Sequence, residues 1–230
     1  MPLPTLDVPT YECELPSTGE KIKYRPFLVR EHKVILTLMD SDVPEVAKGI
    51  TELIDVCTFK KLDINKLSHF DIEYLFLQLR SKSIGENVSL VVNCTCGAKI
   101  PHTINLDEVH IERKEGFTNK IQITDKVGIV LKYPKFEDVV KIFYDEMNVD
   151  SIMDVVKNCI EAVWDGNEYY DSFTSEEIDY FLNSLSKEQF KKLEDFFINM
   201  PKVVQPISKE CPECGKLNEV RLEGLQNFFV

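Results

Sequence analysis

Hydrophobic residues recur at helical spacing in two parts of the chain. Between positions 43 and 59 they fall at i, i+4, i+7, i+8 and i+11, so that one helical face carries Val46, Ile50, Leu53, Ile54 and Cys57. The apolar density of residues 30–39 predicts a mostly buried helix. Further helices are predicted over 68–83, 136–146 and 151–164, followed by two short helices, the second of which ends at Pro201.

Three of these helices have a predicted start. A Ser or Thr followed three residues later by Asp, Glu or Gln has the spacing of a capping box, which satisfies backbone N–H groups at the first helical turn. The sequence contains this spacing at Ser68–Asp71, Thr174–Glu177 and Ser186–Gln189. We therefore expect helices to begin directly after Ser68, Thr174 and Ser186.

At Gly85 the helical period gives way to alternation, which is typical of strands. Strands are predicted over 88–93, 99–105, 109–113, 120–124, 127–133, 202–208 and 217–223. Residues 1–27 carry prolines at positions 2, 4, 9, 16 and 26 and no helical period, which predicts an extended arm, with a hairpin around Ser17–Glu20.

Composition narrows the class of protein. The chain has 230 residues, of which 43% are hydrophobic and 29% charged, and its formal charge is −12. This is the composition of a globular protein, and its acidity disfavours a general nucleic-acid binder. No apolar run is long enough for a membrane helix, and the N-terminus lacks the features of a signal peptide, so we expect a cytoplasmic protein with reduced thiols.

Four of the seven cysteines form two close pairs. Cys211-Pro212-Glu213-Cys214-Gly215 has the usual spacing of a zinc knuckle, and Cys94-Thr95-Cys96-Gly97 is a tighter version with one residue between the sulfurs. Four thiolates make a closed tetrahedral shell, which is typical of structural rather than catalytic zinc. The sequence therefore predicts one structural zinc ion per chain, bound by Cys94, Cys96, Cys211 and Cys214.

Two other interpretations of the cysteine pairs remain. The four residues could be unconnected free thiols, or the second pair could be a redox centre, which normally lies where a strand meets a helix. The polar, turn-like surroundings of Cys211 favour a metal knuckle, with His102 as an alternative ligand. Cys57 and Cys159 lie in apolar helical patterns, and we expect them in the core.

Together these patterns predict an α+β protein, with a helical body and a split zinc-ribbon-like antiparallel β layer. The predicted parts are an extended N-terminal arm, N-terminal helices, a β region in two segments, C-terminal helices and an apolar tail. Their bounds are 1–27, 28–85, 86–134 plus 202–224, 135–201 and 225–230.

Chemistry-bearing motifs of enzymes are absent from the sequence: it has no H-E-x-x-H, G-x-S-x-G, P-loop or G-x-G-x-x-G. We therefore expect a protein that binds partners rather than an enzyme. The C-terminal Phe228 and Phe229 are either folded into their own domain or inserted into a partner. The proline-rich arm around Tyr11 is a second candidate, because an extended segment can add to another sheet.

Several blocks of sequence resemble a known family. The stretches 15–19, 24–31 and 70–86, followed by paired cysteines, are similar to the baseplate hub subunits and assembly factors of T-even-like contractile-tailed bacteriophages. The resemblance implies a role in building the central hub of the tail baseplate in the infected cell. It adds Arg25 and Phe27, which lie in the second block, to the candidate partner-binding residues. For Arg25 the competing interpretation is an internal salt bridge.

The sequence thus predicts a baseplate hub assembly protein, either a structural subunit or a chaperone, that binds other tail proteins. We expect no bound nucleic acid and no membrane segment, and a location in the host cytoplasm or the virion tail. The chain could form an oligomer within a larger assembly. The alternative is a zinc-ribbon nucleic-acid-binding or transcription-related protein, although lysines and glutamates are balanced around the knuckles.

Overall fold

The computed structural model describes residues 6–38, 43–144, 149–166 and 168–225. The chain divides into unit 1, residues 1–112 and 202–230, and unit 2, residues 113–201. The helices are α1 Val29–Leu38, α2 Val43–Cys57, α3 His69–Ser83, α4 Phe136–Tyr144, α5 Val149–Cys159, α6 Ser175–Asn183 and α7 Lys187–Asn199. No helix in these ranges combines the length and the apolar character that crossing a membrane requires.

All strand pairings in the described residues are antiparallel, which together with the helices confirms the predicted α+β class. The sheets are β1-β2, β3-β4 and β11-β10-β5 in unit 1, and β6-β7-β8-β9 in unit 2. Their strands are β1 Tyr11–Glu14, β2 Lys21–Tyr24, β3 Asn87–Asn93, β4 Lys99–Asn105, β5 His110–Glu112, β6 Lys120–Gln122, β7 Val127–Leu131, β8 Ile160–Asp165, β9 Glu168–Tyr170, β10 Lys202–Glu210 and β11 Leu217–Glu223.

The three predicted capping boxes are confirmed. In each, the hydroxyl of the residue before the helix accepts from a backbone N–H three residues on, and that residue's side chain accepts in return. At α3 the capping residue Asp71 makes an additional bond, accepting from the Ser17 N–H at 2.9 Å. This bond attaches the turn between β1 and β2 to the start of α3, and the hairpin predicted around Ser17–Glu20 is confirmed.

Unit 2 is inserted into unit 1 at a single point of a sheet. The last residue before the insertion, Glu112 in β5, is the register partner of the first residue after it, Lys202 in β10. Paired residues of antiparallel strands lie roughly 5 Å apart, so the chain leaves and re-enters unit 1 at neighbouring positions. A short turn could therefore span the gap between β5 and β10 in place of the inserted residues.

A buried ion pair attaches the N-terminal arm to α1. Arg25 donates to Glu31 at 3.0 Å and to the Pro26 carbonyl at 2.9 Å, and both charged residues are more than 90% buried. Burial alone raises the pKa of Glu31, but bonds from Arg30, Arg25 and the Leu28 N–H outweigh it and lower the pKa to about 2. Arg25 therefore forms an internal salt bridge, which is the interpretation that competes with partner binding in the sequence analysis.

The main apolar cluster of unit 2 packs against one face of its sheet. Ile129 and Leu131 of β7 are fully buried there, together with Leu193 and Phe196 of α7 and Ile178 of α6. Because side chains of a strand alternate between faces, residues 129 and 131 point to the same side. The helices α5, α6 and α7 supply most of the apolar surface that covers this face.

Three expectations from the sequence differ from the structure. The helix predicted over 151–164 ends at Cys159, because residues 160–165 pair with β7 as β8. α1 is mostly exposed rather than buried, with Val34 and Leu36 about half exposed. Finally, β6 and β7 pair in one sheet with β8 and β9 rather than with the strands that carry the cysteines.

We expect Glu31→Gln to reduce the free energy of unfolding at pH 7 by on the order of 3 kcal/mol, since it removes the buried charge that three donors stabilise. The folded pKa lies below the unfolded one. The contribution of Glu31 is therefore complete above about pH 4.5 and is lost as the pH falls toward 2.

Urea denaturation at pH 7, 5 and 3 measures this difference. Glu12→Gln is the control, because Glu12 forms an exposed pair with Lys23 and should cost less than about 1 kcal/mol. A Glu31→Gln deficit of the same size at pH 3 as at pH 7 would contradict the assigned role of the ionised carboxylate.

Replacement of residues 113–201 by Asn-Gly, which joins Glu112 to Lys202 through a two-residue hairpin turn, should leave unit 1 folded. We expect cooperative thermal unfolding by circular dichroism. The control joins Glu112 to Val203 through the same turn and so moves β10 out of register, which should reduce stability sharply. Two equally disordered proteins would show that unit 1 depends on unit 2.

Candidate metal centre

The first cysteine pair lies at the turn between β3 and β4. The Cys94 N–H donates to the Ala98 carbonyl at 2.9 Å, and the Gly97 N–H donates to the Cys94 carbonyl at 2.9 Å. Gly97 has φ of +95°, a conformation that residues with a Cβ rarely adopt. The tight turn that the sequence predicts at the tip of this hairpin is therefore present.

The second pair lies at the turn between β10 and β11. The Cys211 N–H donates to the Lys216 carbonyl and the Gly215 N–H to the Cys211 carbonyl, both at 2.9 Å. Gly215 also has a positive φ, +71°. The two turns thus have the same backbone bonding pattern, although the first has one residue fewer between its cysteines.

The four sulfurs converge although the pairs are far apart in sequence. Cys94 Sγ lies 3.7 Å from Cys214 Sγ, and Cys96 Sγ lies 3.7 Å from Cys211 Sγ, across 115 positions of the chain. All four ligand atoms lie within 4.8 Å of one another. A tetrahedral ion with metal–sulfur bonds of about 2.3 Å holds its sulfurs about 3.8 Å apart, so this arrangement fits a single metal ion.

Larger cofactors fit the cluster poorly. An iron–sulfur cluster places its own irons and sulfides between the cysteine sulfurs and therefore holds them further apart than a single ion does. The separations fit a mononuclear site, and a set of four soft thiolates in tetrahedral geometry is typical of zinc.

Backbone amides support negative charge on the sulfurs. The Cys96 N–H is the main cause that lowers the pKa of Cys94, to about 6. A bond from the Ala98 N–H likewise acts to lower the pKa of Cys96. Hydrogen bonding with the other sulfurs outweighs it and raises the pKa of Cys96 to about 12. Four thiols this close ionise together only beside a cation, which a divalent metal provides.

Half of the cluster is buried and half faces solvent. Cys94 and Cys211 are buried, whereas Cys96 and Cys214 are exposed. On the exposed side Lys216 Nζ donates to Thr95 Oγ1 at 3.1 Å and joins the two turns by a polar contact that the sequence analysis did not identify. The cysteine cluster therefore lies at the surface of unit 1, at the ends of two hairpins.

The remaining cysteines lie elsewhere. Cys57 and Cys159 are buried as predicted, and burial raises their thiol pKa values to about 11 and about 12. Cys13 is half-buried in β1, and burial raises its pKa to about 11. These thiols are protonated at neutral pH and poorly nucleophilic. His102 is not among the residues of the metal cluster.

The partner-binding candidates occupy different environments. Tyr11 is half-buried in β1, with its ring centroid 5.8 Å from that of Tyr24. Arg25 is buried against Glu31, and Phe27 is buried while its N–H donates to Ser83 Oγ at 2.9 Å. Phe228 and Phe229 lie outside the described residues.

One buried carboxyl was not identified from the sequence. Glu73 of α3 is 7% exposed, and burial raises its pKa to about 8, although the Leu225 N–H donates to it and acts in the opposite sense. Leu225 is the last described residue of the chain. The bond to Glu73 therefore attaches Leu225 to α3, and the C-terminal segment continues from Leu225.

Comparisons with known proteins agree with the resemblance seen in the sequence. A family described as T4 bacteriophage base plate protein matches residues 8–230. The chain is 26% identical over 222 residues to the baseplate hub assembly protein gp26 of Enterobacteria phage T4, which covers 95% of this chain and 97% of that protein. No solved structure matches the chain significantly.

Cys211→Ser should abolish metal binding, because a serine hydroxyl does not ionise to replace the buried sulfur. Metal affinity and folding are linked at a closed site, so we expect unit 1 to lose several kcal/mol, or roughly 10 °C in melting temperature. Native mass spectrometry and elemental analysis should find one zinc per wild-type chain and none in the variant.

Cys13→Ser is the matched control, since it removes a half-buried thiol outside the cluster and should retain the metal. A Cys211→Ser protein that keeps both its zinc and its melting temperature would exclude the four-sulfur site. If elemental analysis found iron instead of zinc, the four-sulfur site would stand and only the identity of the metal would change.

Proposed function

The chain belongs to the T4 bacteriophage base plate protein family, and on that basis we propose that it is an assembly protein of the baseplate hub of a contractile phage tail. The observation that carries the proposal is the extent of the similarity to a hub assembly protein, which spans nearly the full length of both chains. The function is to bind other tail proteins while the hub is built, as a structural subunit or as a chaperone.

A structural zinc ion is the second part of the proposal. Cys94, Cys96, Cys211 and Cys214 would bind it, and their mutual distances support tetrahedral coordination. The ion supplies a rigid connection between two hairpins from distant parts of the chain. Because four protein ligands complete its shell, it leaves no position for substrate or water.

Binding rather than catalysis follows from the same chemistry. A catalytic metal needs an open coordination position, and the buried thiols outside the cluster are held protonated. The net charge of −12 also disfavours a partner with a phosphate backbone. These properties favour protein partners over substrates or nucleic acids.

The N-terminal arm is proposed as one partner-binding segment. Among the described strands, β1 pairs only with β2. Tyr11 is the first residue of β1, and Leu6, which precedes the strand, is 84% exposed. An extended partner could pair with the other edge of β1. Arg25 and Phe27 would act indirectly, because their observed contacts hold this arm within unit 1.

The C-terminal segment is proposed as the other partner-binding segment. It continues from Leu225, which Glu73 holds on α3, and it contains Phe228 and Phe229. Aromatic side chains are enriched at protein interfaces. On this proposal the protein acts in the host cytoplasm during assembly, and as a subunit it would remain in the tail baseplate.

Co-purification from infected cells tests the proposal. We expect affinity-tagged wild-type protein, supplied to a phage that lacks this gene, to restore phage yield and to co-purify with baseplate hub proteins identified by mass spectrometry. The double variant Leu6→Ser/Tyr11→Ala should recover several-fold less of them, because it removes the apolar contacts of the arm.

Ile198→Ser is the matched control, since Ile198 is an exposed apolar residue of α7 in unit 2. It should recover as much hub protein as the wild type. Normal phage growth without the gene, or wild-type protein that recovers no tail protein, would exclude a role in hub assembly. Detection of the tag in purified virions would identify a permanent subunit rather than a chaperone.

A further inference from the structure

Unit 2 contains an apolar groove between its sheet and α6. The groove has a volume of about 340 Å³, and its apolar lining comes from Val127, Val163, Phe173, Ile178 and Phe181. Pockets for small ligands generally range from about 300 to 1,000 Å³, so this groove has room for one or two large side chains. Ile178 is buried at its base, whereas Phe173 and Phe181 remain half-exposed.

The rim of this groove is acidic. Asp165 and Glu177 line it, and both are exposed. Bonds from Thr174 lower the pKa of Glu177, so its carboxylate is ionised at neutral pH. Among the residues that lie within two sequence positions of a lining residue, only Lys126 is basic.

The acidic character extends beyond the rim. From residue 158 to residue 186 the sequence contains no Lys or Arg, yet it contains Asp165, Glu168, Asp171, Glu176 and Glu177. Asp179 is paired with Lys157, but among the described residues none of those five carboxylates forms an ion pair. Their field therefore favours a cationic group at the groove.

One exposed tyrosine lines the groove, and a second lies on α6, the helix that forms one side of the groove. Tyr170 lines it and is 46% exposed, and Tyr180, three residues after Glu177 on α6, is 81% exposed. Residues three apart on a helix are neighbours on its surface. Tyrosine is enriched at the centres of protein interfaces, where its ring is buried and its hydroxyl keeps a polar partner.

An open strand edge lies beside the groove. β9, which carries Tyr170, pairs only with β8 among the described strands, and its three residues are exposed. An extended chain beside this edge could bond to its backbone while a side chain entered the groove.

We infer that this groove is a docking site for an extended segment of another tail protein, in which a large apolar residue is flanked by lysine or arginine. The inference rests on the proposed function for the kind of partner and on the charge complementarity of the groove for its chemistry. The apolar residue would bury the exposed parts of Phe173 and Phe181, and its basic neighbours would lie against Asp165 and Glu177.

Three labelled peptides test the inference by fluorescence polarisation with the full-length protein. The first is Lys-Lys-Ser-Leu-Phe-Ser-Lys-Lys, the second has Glu in place of each Lys, and the third has Ser in place of Leu and Phe. We expect the first to bind at least tenfold more tightly than either of the others. Its affinity should fall as salt screens the charges.

Two variants alter the groove and one serves as a control. Asp165→Lys/Glu168→Lys reverses the charge beside the groove, and Ser172→Trp places a large ring at an exposed lining position, so each should weaken binding of the first peptide at least tenfold. Glu194→Lys/Asp195→Lys makes the same change in net charge on α7, outside the lining, and should leave binding within twofold of wild type. Thermal unfolding by circular dichroism checks that each variant is folded.

Other results would overturn the inference. Equal affinity for all three peptides, no binding, or binding unaffected by the groove variants would exclude the site. Binding only after removal of residues 226–230 would make the chain's own C-terminal segment the occupant, and a dimer that Ser172→Trp dissociates would make it a second copy. If the groove variants bind no peptide yet restore phage yield fully, the inference fails while the function in hub assembly stands.

Discussion

The convergence of four cysteine sulfurs is the constraint on which unit 1 depends. The strand pairs β3-β4 and β10-β11 belong to separate sheets in the described residues, and their cysteine turns are far apart in the sequence, with Cys96 and Cys211 separated by 115 positions. The four sulfurs are spaced for one tetrahedral ion, so the cysteine turns of the two hairpins meet at one place. A metal ion at this point would link the two turns across a long chain segment.

The position of the insertion explains how such a distant pair can form. Unit 2 leaves and re-enters unit 1 at the paired residues Glu112 and Lys202, so β5 and β10 keep the geometry of neighbouring strands. Cys96 and Cys211 are 115 positions apart, and the segment between them consists mainly of a separate unit rather than a flexible loop. The entropic cost of joining the two turns is smaller than the sequence separation suggests.

The contacts of unit 1 suit the role expected in a family of baseplate proteins. A protein that assembles a hub must present fixed surfaces to its partners, and the closed sulfur set, the Arg25–Glu31 pair and the anchoring of Leu225 by Glu73 all fix surface segments of unit 1. Unit 2 offers a different kind of surface, an acidic groove with exposed tyrosines. The two units thus differ in what each could contribute to binding: rigid segments in one and a charged groove in the other.

Local chemistry was predicted from the sequence where a few neighbouring residues decide the outcome. The three capping boxes, the two cysteine turns and the burial of Cys57 and Cys159 are of this kind, because the hydrogen bonds, the metal-ligand spacing and the apolar periodicity lie within short segments. The family resemblance was equally visible, since it depends on the order of residues alone. Residues 160–164 were misassigned because Ile160 and Val163 also continue the helical period of α5, and only pairing with β7 makes them a strand. The assignment of β6 and β7 to unit 2, the exposure of α1 and the acidic groove likewise depend on contacts between distant segments, which periodicity and spacing cannot specify.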